Sequence, residues 1–163
     1  MLRILLCLTL LTAPVAISGC GGSNEPAVWV TGKLLKGGSK YDPPAEQQIT
    51  ITFVAIEVEN AQGKVGPSTE PYMALYDRST GTFKVPGKEG SGIPPGKYRV
   101  AITSKMNREA LNAIKPKQKV MDREKDYLED KFGVATSPIV RQIKVSSDLT
   151  IDMDKPTESA NAS

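Results

Sequence analysis

The side chains that could carry chemistry in this chain are few, and their spacing offers little acid–base or nucleophilic machinery. There is no histidine. That removes Ser-His-Asp and Cys-His arrangements, His-containing zinc sites, and the one side chain that titrates near neutrality unaided. Ser79, Ser91 and Ser137 have no base at a recognisable spacing. The densest carboxylate group is Asp122, Glu124, Asp126, Glu129 and Asp130, an all-oxygen set of the kind calcium takes. Arg123, Lys125 and Lys131 interleave with it, and no glycine stands where a tight calcium loop would bend, so a solvated charged face is expected. Lys115, Lys117 and Lys119 form a small basic patch that would suit anionic head groups or polysaccharide. Trp29, Tyr41, Tyr72 and Tyr76 could line a sugar-binding surface, although aromatic residues in strands ordinarily fill the core or cover an edge. Two thiols remain, Cys7 and Cys20, both near the N-terminus.

Cys20 acquires a chemistry from what precedes it. Met1-Leu2-Arg3 is a short basic start, Ile4 to Ala13 is apolar apart from Thr9 and Thr12, and small residues follow Pro14. This is the three-part pattern of a secretory signal peptide, and the apolar run is shorter than the ~20 residues that cross a bilayer. Ile17-Ser18-Gly19-Cys20 resembles the bacterial lipobox. That resemblance implies a diacylglyceryl thioether on Cys20, cleavage just before it, and a further acyl chain, commonly palmitate, on the new N-terminus. Residues 1–19 are then the leader, and 20–26 the lipidated Cys20 with a Gly-Ser-Asn tether. Gly21, rather than Asp, after the cysteine points to the outer membrane, facing the periplasm or the exterior.

Beyond the tether, alternation in steps of two between Gly and Pro punctuation predicts an antiparallel β-sandwich of about seven strands over residues 27–153. Val28, Val30, Gly32 and Leu34 share one face of the first strand. Ile49 to Val58 is the strongest strand, with Ile49, Ile51 and Phe53 on one face and Val54, Ile56 and Val58 on the other, which predicts a bulge or a doubly buried stretch. Tyr72–Asp77, Thr82–Val85 and Lys97–Ser104 follow. Ile139–Val145 and Leu149–Met153, around Ser146-Ser147-Asp148, predict a closing hairpin. Residues 106–132 break the pattern as an insertion before it: Asn107 is a candidate N-cap for a short helix that Pro116 stops, and Tyr127, Leu128 and Phe132 are its later apolar contacts. Its sparse apolar residues predict the least stable part of the domain and the place of partner contact. Residues 154–163 are polar and are expected to be disordered.

The step Gly92-Ile93-Pro94-Pro95-Gly96-Lys97-Tyr98-Arg99-Val100, after Val30-Thr31-Gly32-Lys33-Leu34 and Gly81-Thr82-Phe83-Lys84-Val85, resembles the transthyretin-like and carboxypeptidase-regulatory-like domains. The nearest resemblance is to small planctomycete lipoproteins of that type. The resemblance implies a prealbumin-like sandwich and no catalysis, and its structural motifs carry over no functional residue; no cofactor or metal is expected, and Cys20 stands on the lipobox alone. Tyr98 is expected to point its ring inward and its hydroxyl outward. A net charge of +3 with interspersed signs lacks the footprint of a nucleic-acid binder. Two function classes follow. The first is a non-catalytic lipoprotein of the cell envelope, held to the membrane through its N-terminal lipid and binding an envelope protein or polysaccharide. The second is an accessory subunit or minor enzyme of envelope polysaccharide or protein processing.

Overall fold

A computed structural model describes residues 27–59, 65–66, 70–114, 123–157 and 160–161. Among these residues ten strands and one short α-helix follow in the order β1 (Val30–Lys36), β2 (Ser39–Lys40), β3 (Gln47–Glu59), β4 (Val65–Gly66), β5 (Tyr72–Asp77), β6 (Thr82–Val85), β7 (Gly96–Met106), α1 (Arg108–Ala113), β8 (Val140–Ile143), β9 (Ser147–Asp152) and β10 (Ala160–Asn161), with a single 3-10 turn at Lys88–Gly90. They join into one mostly antiparallel sheet, in the order β10-β9-β1-β6-β5-β3-β7-β8, curled strongly into a half-barrel.

The inward faces are those that alternation selects. Val28, Val30 and Leu34, Ile49, Ile51 and Phe53, Phe83 and Val85, and Tyr98, Val100 and Ile102 are all buried in one core. The long β3–β7 ladder runs from Gln47 opposite Met106 to Val58 opposite Gly96, and its register slips between Ala55 and Glu57 at a bulge. Gly32 lies under the ring of Phe83, and a Cβ there would stand 2.5 Å from Phe83 Cζ and 2.3 Å from the Leu149 carbonyl oxygen. Only glycine lets the two strands close over that ring. Asn107 caps α1 by accepting from the Ala110 N–H at 2.8 Å.

Three expectations are corrected. β8 and β9 do not form the expected closing hairpin. β8 pairs antiparallel with β7, and β9 crosses to pair parallel with β1. Both carry inward apolar residues, but each completes a different open edge of the curled sheet. The crossing turn is captured by Trp29, whose N–H donates to Ser146 Oγ at 3.0 Å and whose carbonyl accepts from Ser147 N–H at 2.9 Å.

The later part of the 106–132 segment is built into the sheet, not laid over it. Its backbone and side chains occupy the edge of β7 that β8 is too short to reach. Tyr127 N–H donates to the Ser104 carbonyl at 2.8 Å and Ile102 N–H to the Phe132 carbonyl at 2.8 Å, and beyond the segment Val100 N–H donates to the carbonyl of Ile139, just before β8, at 2.9 Å. Leu128 and Phe132 pack on the core. Lys115, Lys117, Lys119 and Asp122 lie outside the described residues.

The polar C-terminal stretch is also partly ordered. Arg141 faces inward between Ile139 and Ile143 and is buried. Its Nη1 donates to the Val140 and Pro156 carbonyls at 2.9 and 3.1 Å. It thereby holds residues after β9 against the other free end of the sheet, and the backbone of β10 pairs beside β9 at Leu149 and Thr150. Burial lowers the guanidinium pKa from its ordinary value. The arginine stays charged all the same, because that value lies far above neutrality.

Candidate functional site

The residues singled out for chemistry disperse. Ser79 Oγ donates to Asp77 Oδ1 at 2.6 Å, Ser91 Oγ to the Lys88 carbonyl at 2.6 Å, and the buried Ser137 Oγ to the Val100 carbonyl at 2.6 Å. All three hydroxyls brace turns or edges. Tyr41, Tyr72 and Tyr76 pack on the core from its rim, and Trp29 alone of the four candidate aromatics turns outward. Cys20 lies outside the described residues. Among the described residues no group of three or more His, Cys, Asp or Glu is placed to hold a metal ion, and no helix is long and apolar enough to cross a membrane.

The acidic cluster divides. Glu124, Glu129 and Asp130 are exposed, and Glu129 pairs with Lys131 at 3.1 Å. Asp126 is buried, contrary to a solvated face. Its carboxylate accepts from the backbone N–H groups of Ser104 at 2.8 Å, Leu128 at 3.1 Å and Asp130 at 3.3 Å. Ser104 Oγ donates to Gln47 Oε1 at 2.7 Å, and the Tyr41 hydroxyl hydrogen-bonds Ser104. Burial raises the Tyr41 pKa, the Ser104 bond offsets part of that rise, and the Asp126 charge adds to it. The network closes one end of the core. Its polar groups are spent on the backbone and on one another, which is a structural arrangement.

A second carboxylate does similar work at the surface. Asp77 accepts from Ser79 N–H at 2.8 Å, from Ser79 Oγ and from Thr80 Oγ1 at 2.9 Å, and these bonds hold its carboxyl below its ordinary range. A folded-state value below the unfolded one means that the turn's contribution is present above the unfolded pKa and is lost as pH falls through the folded one. Carbon-detected NMR titration should place the Asp77 midpoint below about 3.9, and a midpoint at or above that value would show that the turn does not favour the carboxylate.

The opening with the character of a binding site lies where the sheet parts. Tyr72–Ala74 of β5 pairs with β3, but from Leu75 onward β5 pairs with β6 instead. Among the described residues Gln47–Thr50 then pairs with β7 and not with β5. The parting leaves a groove of about 580 Å³ lined by Gln47–Thr50, Met73–Tyr76, Pro43, Arg78 and Asn107. Met73 and Leu75 project on the outward face of β5, 61% and 66% exposed.

The opposite wall is held in advance. Arg78 donates through Nη2 to the Pro43 carbonyl and through Nη1 to the Ala45 carbonyl at 3.2 Å. Asn107 donates through Nδ2 to the Ala45 carbonyl at 2.9 Å and through its backbone N–H to Glu46 at 2.7 Å. Tyr76 donates its hydroxyl to the Tyr41 carbonyl at 2.8 Å. Four carbonyl groups of the 41–46 loop are thus tied down, so little loop ordering remains to be done on binding. Sequence reasoning missed this groove. The outward apolar pair Met73 and Leu75 within a strand was its one visible signal.

The chain matches no family model, no curated protein and no solved structure.

Proposed function

We propose that this chain is a non-catalytic lipoprotein of the bacterial cell envelope, lipidated at Cys20, whose domain binds an extended segment of an envelope protein in the groove between β3 and β5. The observation that carries the reading is the groove itself: a mixed apolar and amide-lined cleft with a pre-set wall, flanked by outward Met73 and Leu75. An extended peptide suits it better than a sugar. Its flanking contacts are aliphatic side chains, and sugar platforms ordinarily present a ring face. The lipobox-like run before Cys20 supports the anchor, and Gly21 supports the outer membrane, facing the periplasm or the exterior.

The finer fold assignment belongs to the same proposal. We read the half-barrel as a transthyretin-like, prealbumin-type sandwich. In support, the Tyr98 hydroxyl closes on the Pro94 carbonyl four residues upstream at 2.5 Å, the tyrosine corner common in such folds. The crossing from β8 to β9 also joins the two flanks of the sheet.

The test has two readouts. Mass spectrometry of the membrane fraction should find an acylated N-terminal Cys20, and an intact Met1 terminus there would refute the anchor. Cross-linking in the native envelope, comparing the wild-type chain with the Met73→Asp/Leu75→Asp variant, tests the groove. Burying an aspartate in an apolar contact should reduce the captured partner roughly tenfold or more, with the melting temperature little changed, because both positions are exposed. Equal capture by the two proteins would place the contact elsewhere.

A further inference from the structure

The single tryptophan of the chain stands at one pole of the fold, and what gathers around it is not explained by the groove. Trp29 precedes β1 and is 43% exposed. The β8–β9 turn is fastened to its backbone through Ser146 and Ser147 and carries Val145, 68% exposed. Two large apolar side chains more than a hundred residues apart in sequence are therefore presented by adjoining backbone. Lys84 stands with Nζ 5.0 Å from the centre of the Trp29 ring system, and Lys144 immediately precedes Val145 and is exposed. The nearby carboxylate, Asp148, accepts from Thr31 Oγ1 at 3.1 Å.

The registers orient this pole. β1, β7 and β9 begin here and β6 and β8 end here, since Val30 faces both Val85 and Ser147, and Gly96 faces Ile143. The groove residues Gln47–Thr50 and Leu75–Arg78 lie towards the other pole, where β3 starts and β7 ends. The tether reaches the fold at the Trp29 pole. Cys20 is nine residues before Trp29, and that length of chain spans at most about 32 Å. A bilayer holding lipid on Cys20 is therefore within that distance of Trp29. Tryptophan is the side chain favoured at the membrane–water interface, and lysines there meet anionic head groups.

We infer that the Trp29 pole is a membrane-contact surface: Trp29 and Val145 enter the head-group layer of the bilayer that holds Cys20, with Lys84 and Lys144 against anionic head groups. This rests on the lipidation of Cys20 proposed above. It sets the domain with its groove facing away from the membrane, open to a partner.

The chain's sole tryptophan is its own reporter. Full-length protein is extracted from the membrane fraction, its Cys20 acylation checked by mass, and the protein reconstituted into vesicles of three parts zwitterionic to one part anionic phospholipid. Lipids spin-labelled near the head group should quench Trp29 roughly twofold or more, and labels deep in the acyl chain should quench it less, as an interfacial position requires. Val145→Asp should weaken the quenching, and Lys84→Glu/Lys144→Glu should weaken it on anionic vesicles more than on neutral ones. An acylated chain whose Trp29 is open to aqueous iodide and insensitive to lipid labels overturns the inference and leaves the anchor standing. Protein in the membrane fraction without acyl mass on Cys20 overturns the anchor and this inference with it.

Discussion

Truncating Tyr98 to alanine is expected to cost about 3–5 kcal/mol of folding free energy, the range for removing a large buried aromatic ring. The side chain is fully buried near the start of the long strand β7. Its ring meets Phe53 and Tyr72 edge-on, each with centroids 6.2 Å away. The mutation removes that packing together with the bond to the Pro94 carbonyl. Tyr98→Phe keeps the ring and isolates the hydrogen bond. It should cost about 0.5–1.5 kcal/mol, the net worth of one hydrogen bond, because the carbonyl of half-buried Pro94 exchanges its donor for water.

Urea melts of the three proteins decide between these outcomes. A loss below about 1 kcal/mol for Tyr98→Ala would mean that the ring does not anchor the core. The hydroxyl adds a pH signature. Burial, with a smaller contribution from Tyr72, raises the Tyr98 pKa well above its ordinary value. A raised folded-state pKa gives stability that is complete below the unfolded pKa of about 10 and declines as pH rises beyond it. Tyr98→Phe should flatten that alkaline decline. The remaining slope would come from Tyr41 and Tyr76, whose pKa values burial also raises.

Asp126→Ala should be the second severe change, at about 2–4 kcal/mol, since it strips the acceptor from three backbone N–H groups at a charged hydrogen-bonding site. One of those donors belongs to Ser104, itself fully buried. The loss should be local as well as global. In native-state hydrogen exchange the amides of Ile102, Ser104 and Tyr127 should lose protection first, because Asp126 holds the 126–132 segment along the edge of β7. In the wild-type protein those amides should exchange slowly. A cost under about 0.5 kcal/mol, or fast exchange there in the wild type, would return this stretch to the status of a surface loop.

The inward faces of the strands were legible because side-chain direction alternates strictly along a strand, so Val28, Val30 and Leu34, or Ile49, Ile51 and Phe53, declare a common face without knowledge of their neighbours. The Asn107 cap was legible for a similar reason, since its hydrogen bond reaches only three residues on. The same logic applied more strictly would have found Arg141. It shares the parity of Ile139 and Ile143 and so had to face inward. Asp126 left no such mark. It sits in a charge-rich stretch, and its burial depends on β7 running past the end of β8 and leaving donors such as Ser104 N–H to be met.

By itself, then, the amino-acid sequence determined what is local: a mostly-β domain, its inward residues, its principal turns, and the short capped helix. Only the tertiary structure decided which edges β8 and β9 take, where β5 leaves β3 to open the groove, and that Trp29 and Val145 stand on adjoining backbone. The division has a physical cause. Backbone geometry and side-chain periodicity act over a few residues. The choice of strand partner depends on which edges are free once the rest of the sheet has curled, and free edges of similar strands offer similar hydrogen bonds. A sequence carries the first kind of information residue by residue. The second exists only when remote segments have closed on one another.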